Sequence, residues 1–133
     1  MFQNDFILNE IQKFAALIAK LMGLKAEGNN AEFDHQLNNV LQKDYDTDLE
    51  ELLALSEAEF ADRIQSKTYS VEKLNAFSQL LYMFAEPFKQ DDETCLLLKK
   101  VLAIFDLLEQ KHHYVSFENI DKRKAIYKYF QQT

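Results

Sequence analysis

The sequence predicts an all-α fold, an antiparallel array or bundle of six to seven helices that is tetratricopeptide-like in its C-terminal half. Three observations carry that reading. Apolar residues recur at three- and four-residue steps through most of the 133-residue chain, which is the helical period. Residues suited to capping a helix stand directly before several of these runs. Two glycines and one proline are too few for the tight turns that a sandwich or barrel of this length requires.

The elements follow in order. A first helix is predicted from about Asn4 to Met22, with Phe6, Ile7, Ile11, Phe14, Leu17, Ile18, Leu21 and Met22 at helical spacing. Gly23 is expected to end it through a left-handed residue. Ala15, Ala16 and Ala19 widen its apolar side beyond one stripe, so neighbours are expected on more than one flank. Asn29 or Asn30 can cap a second helix reaching about Gln42, with Phe33, Leu37, Val40 and Leu41 inward. The acids Asp46 to Asp48 open a short segment carrying Leu49, Leu52, Leu53 and Leu55. Ser56 and Glu59 form a capping box ahead of Phe60 and Ile64.

Ser70 caps a long helix through Leu74, Phe77, Leu81, Phe84 and Phe88, which Pro87 should kink or end nearby. Asp91 or Asp92 caps the next, from Thr94 to about Lys111, whose stripe is Leu97, Leu98, Val101, Leu102, Phe105 and Leu108. Ser116 caps a last helix through Phe130. The pair at 71–89 and 93–111 has the length and spacing of one helix-turn-helix unit of an α-solenoid. Phe14, Leu81, Phe84, Leu98, Leu102 and Phe105 are the expected core, and length alone points to one domain over 1–133.

The opening Asp5-Phe6-Ile7, then Ile11, Phe14 and Ile18-Ala19-Lys20-Leu21, resembles the start of a family of small uncharacterised bacterial helical proteins. In that family an amphipathic first helix, an acidic Leu-rich middle and a tetratricopeptide-like helix pair follow one another. Leu49 to Ile64 and Leu74 to Leu108 keep that order here. The resemblance implies a fold and a bacterial cytosolic setting, and it transfers no active site.

Charge narrows the partners. The net charge is −7, and residues 27–62 hold eleven acids against Lys43 alone, while residues 111–133 sum to +3. An acidic chain repels a phosphate backbone, which argues against a nucleic-acid partner. A single cysteine, Cys95, leaves no internal disulfide and fits a reducing compartment. The stretch from Phe6 to Leu24 is interrupted by Asn9, Glu10, Gln12, Lys13 and Lys20, whereas a membrane span needs about 20 mostly apolar residues. The chain opens without a basic, apolar-cored leader, so the expected location is cytoplasmic.

Five groups could carry chemistry, each with a plainer structural role beside it. Asp44, Asp46, Asp48 and Glu50 alternate as in a calcium loop, but the positions that need glycine and glutamate hold Leu49 and Leu55. Acids at a helix start are the plainer reading. Glu32 with His35, and Glu109 with His112, both read Glu-x-x-His. Two such pairs, completed by glutamates such as Glu10 and Glu86, are the ligand pattern of a di-iron carboxylate bundle. Glu10 also falls within the apolar arc of the first helix, where a carboxylate must be paired or reach the edge of the core. Cys95 with His112 and His113 could form a thiol site, but Asp91, Asp92 and Glu93 oppose a thiolate. Lys122 to Phe130 interleaves bases with aromatics. A docking helix that buries Ile126, Tyr127 and Phe130 accounts for it better than base stacking.

With glycines only at 23 and 28, a P-loop and a dinucleotide fingerprint are both absent. No catalytic or cofactor-binding residue is assigned and no cofactor is expected. The metal candidates are Glu32, His35, Glu109 and His112. The leading reading is a non-enzymatic helical interaction or adaptor protein with an unknown protein partner, or one that forms a homodimer through the first or the final helices. The alternative is a metal-dependent, di-iron-like carboxylate enzyme.

Overall fold

A computed structural model describes the backbone of residues 2–132 and the side chains of residues 7–132; the expected inward Phe6 lies outside the described side chains. Helix makes up 82% of the described residues, which contain no strand. The seven helices are α1 Phe2–Ala26, α2 Asn30–Tyr45, α3 Leu49–Ala54, α4 Glu57–Ser66, α5 Val71–Ala85, α6 Asp92–His112 and α7 Phe117–Gln131. Among the described residues no helix is long and apolar enough to cross a membrane. The chain divides into two compact units, Met1–Ala54 and Leu55–Thr133.

In the first unit α1 packs on α2. Phe14, Leu21, Phe33, Leu37, Leu41 and Tyr45 are buried, with the Phe14 and Tyr45 ring centroids 6.2 Å apart. Lys13 pairs with Asp44 at the edge. The Asn38 amide oxygen accepts the Leu49 N–H at 2.9 Å, which ties the start of α3 to α2. Gly23 does not end α1. The helix continues to Ala26, and Gly28 at φ +75° makes the left-handed turn. There the Asn29 N–H reaches the Leu24 carbonyl and the Gly28 N–H the Lys25 carbonyl, both at 3.0 Å, which is the Schellman pattern. A helix tolerates an internal glycine at modest cost, so glycine marks an end only where the backbone turns left-handed.

The wide apolar side of α1 is not covered all round. Phe14 and Leu21 are buried and Leu17, Ile18 and Leu24 half-buried, while Leu8 is 55% and Met22 58% exposed.

In the second unit α5 and α4 pack on α6, and α7 lies against α6. Ser56, Ser70, Asp91 and Ser116 each accept an N–H three residues on, at 3.1, 3.1, 2.8 and 3.1 Å. These caps account for four of the helix starts. The Glu59 carboxylate returns to the Ser56 N–H at 2.9 Å and completes the capping box.

Leu81, Leu98, Val101, Ile104, Phe105 and Ile126 have at most 2% of their surface exposed. Two expected core residues, Phe84 and Leu102, are only half-buried. Ile104 and Leu107 are buried instead, which rotates the inward arc of α6 toward α4. α5 ends at Ala85 rather than near Phe88, because Pro87 excludes the helical conformation at Glu86.

The docking of α7 also differs from expectation. Ile126 and Tyr129 are buried, Phe130 is half-buried and Tyr127 is exposed. The Tyr129 hydroxyl donates to the Lys89 carbonyl at 2.7 Å. Its ring meets Phe88, centroid to centroid at 5.8 Å, edge to face.

Candidate functional site

The α4 and α6 helices of the second unit frame an open groove of about 640 Å³. Its floor comes from Ala58, Ala61 and Ile64 on α4 and Ala103 and Leu107 on α6, and Glu57, Gln65, Asp106 and Gln110 supply its polar rim. The three alanines explain the space: a side chain of one carbon at each leaves unfilled the gap between helices that larger residues would close. None of the lining residues is basic.

Beside the groove lies the most unusual side chain of this unit. Lys100 is 1% exposed, and its Nζ donates to the Leu55 carbonyl at 2.8 Å. The amine stands 6.0 Å from the centre of the Phe60 ring. Burial lowers its pKa, against the charges of Glu57 and Glu59, which act to raise it. One hydrogen bond and an aromatic face replace part of the lost water.

The far edge of the groove is an ion cluster. Arg123 on α7 donates to Asp106 at 3.2 Å and to the Tyr127 hydroxyl at 3.1 Å, and it pairs with Glu109. Its guanidinium sits 5.6 Å from the Phe105 ring centre. One nitrogen of the guanidinium serves Asp106 and the other Glu109, a division that the fork of an arginine allows and the single ammonium of a lysine does not. Deeper between α5 and α7, the Asn119 amide donates to the Asn75 side-chain oxygen at 2.8 Å.

The predicted metal candidates occupy ordinary helical surroundings. Glu32, in the first turn of α2, accepts from Gln36 at 2.7 Å. His35 is exposed, with its ring nitrogen 3.5 Å from the Asn39 amide. Glu109 is taken by Arg123, and His112 is half-buried in the last turn of α6. Glu32 and His35 belong to the first unit, Glu109 and His112 to the second. Among the described residues no group of three or more His, Cys, Asp or Glu stands close enough to hold a metal ion.

Glu10 is half-buried, and Glu86 forms the C-cap of α5. Cys95 is half-buried behind the Asp91 cap. The acids at 44–48 form a helix junction: Asp44 pairs with Lys13, Asp46 is the left-handed C-cap of α2, and Asp48 accepts the Glu51 N–H at 2.8 Å.

Neither Lys100 nor the groove was found from sequence. Lys100 did leave a signal, since it shares the helical arc of Ile104 and Leu107, four and seven residues on. Glu10 leaves the same signal on α1. The groove left none, because alanine is compatible with core, surface or an open slot alike. The chain matches no protein-family model, no curated protein and no solved structure.

Proposed function

We propose that this protein is a non-enzymatic helical interaction protein that associates with itself. The observation that supports it best is large apolar side chains turned to solvent. Leu8, Ile11 and Met22 are exposed on α1, and Val115, Phe117, Ile120 and Tyr127 on and just before α7. Contiguous apolar surface beyond a few hundred Å² is rare on monomers and marks association. The reading takes the chain as one cytoplasmic domain with a tetratricopeptide-like α5–α6 pair, in keeping with the bacterial family it resembles.

Light scattering on a sizing column tests it. A mass of twice 15.6 kDa at tens of micromolar is expected, and a concentration-independent mass of 15.6 kDa overturns self-association. Metal analysis of the purified protein tests the enzyme alternative, since stoichiometric iron or manganese would replace the present reading.

A further inference from the structure

We propose that two copies of this chain pair by seating the outer face of α7 of each in the α4–α6 groove of the other. This rests on the self-association reading and gives it a surface. The two surfaces agree in shape, in charge and in position.

On α7, Phe117, Ile120, Lys124, Tyr127 and Lys128 fall at i, i+3, i+7, i+10 and i+11, which places them along one side of the helix. All five are exposed, and Phe117 is 89% exposed. A phenylalanine so bare gains from an apolar slot, and the alanine floor of the groove lets a second helix come close. The stretch from Phe117 to Tyr127 rises about 15 Å, and the ten residues of α4 are about 15 Å long as well.

The charges oppose one another. α4 holds three acids and one arginine, and α7 four bases and two acids. Glu57 and Asp106 stand on the groove rim, and Lys124 and Lys128 flank the apolar residues of α7. Such pairing steers and orients association.

Position makes the match reciprocal. Asp106 lines the groove and is bound by Arg123, which also reaches the Tyr127 hydroxyl. Groove and ridge therefore adjoin along one edge of the same unit. A two-fold axis passing that edge sends each ridge into the opposite groove, giving a closed pair that needs no further surface.

The test is sedimentation velocity on the full chain across a concentration series, with circular dichroism of each variant to confirm the fold. Phe117→Ala, which removes the ridge, and Ala58→Trp, which fills the groove, should each weaken the dimer about tenfold or more. Both positions are exposed, so neither change touches the core. Glu57→Lys and Lys124→Glu should each weaken it, and the double variant should recover most of the loss. A dimer indifferent to Phe117→Ala and Ala58→Trp but dissociated by Leu8→Glu on α1 overturns this inference and leaves self-association standing. A wild-type monomer overturns both.

Discussion

α1 and α6 are the two longest helices, and their sequences promise similar burial. Both spread apolar residues around more than one face. Yet α6 has α4, α5 and α7 packed on it, whereas α1 packs on α2. The outcome differs accordingly. Nine residues of α6 are buried, a lysine among them. On α1, Leu8, Ile11 and Met22 remain in solvent. Apolar content sets how much surface a helix offers for burial, and the number of neighbours decides how much is used.

The sharpest way to break the comparison is to truncate one large side chain on each helix. Phe105→Ala in α6, where the ring is 2% exposed, should cost about 3–5 kcal/mol. Leu8→Ala in α1 should change stability by no more than about 0.5 kcal/mol. Urea unfolding of the two variants checks both figures. Comparable losses would mean that α1 is covered as α6 is.

Next in size is Lys100. Shortening it to alanine removes both the packed stem and the partner of the Leu55 carbonyl, at a cost of about 2–4 kcal/mol. Lys100→Met keeps the stem and removes a desolvated charge, so its net effect should stay within about 1 kcal/mol. Thermal melts of the pair separate packing from charge: equal losses would assign the effect to the amine.

These examples show what was legible. Caps at Asn29, Ser56, Ser70, Asp91 and Ser116 could be read because a cap is local: a side-chain oxygen and an N–H three residues on suffice. The partial exposure of Phe84 and Leu102 could not, since both lie on apolar arcs and only the placement of the neighbouring helices decides which arc is covered. Lys100 was not legible because a lysine on an apolar arc ordinarily carries its amine out to water along a buried stem, and the Leu55 carbonyl that holds it inside lies 45 residues away in sequence.

The two glycines refine the comparison at the scale of single residues. Gly23 lies within α1 with nothing within 4 Å of an added Cβ, so Gly23→Ala should stabilise by about 0.5–1 kcal/mol. Gly28, at φ +75°, should lose about 1–2 kcal/mol on the same change. If differential scanning calorimetry moved both melting temperatures in one direction, the assignment of the turn to Gly28 would fall.

The smallest expected effect is with pH. Glu59 and Asp91 are held below the ordinary carboxylate range chiefly by backbone N–H groups of Ser56 and Thr94, and Glu118 chiefly by its hydrogen bond from Lys122. A lowered folded pKa means that the unfolded chain binds more protons. The stability these groups add is present above the ordinary carboxylate range and is lost as pH falls through their folded values. All three lie in the second unit. Denaturant midpoints between neutral and acid pH should fall less steeply for Glu59→Gln and Asp91→Asn than for the wild type. Lys100 works in alkali: its lowered pKa makes its contribution improve as pH rises through the folded value toward its usual one.

Leu55 is the first residue of the second unit, and its carbonyl is gripped from within by Lys100. Leu55, at the start of that unit just before α4, is thereby fastened to α6, the helix with the greatest number of buried residues among those described. To fray, it must draw an ammonium away from its one carbonyl and from the Phe60 face. Protease access and amide exchange at this junction should therefore follow the opening of α6 itself, a slow and cooperative event, instead of the quick breathing usual at an exposed link.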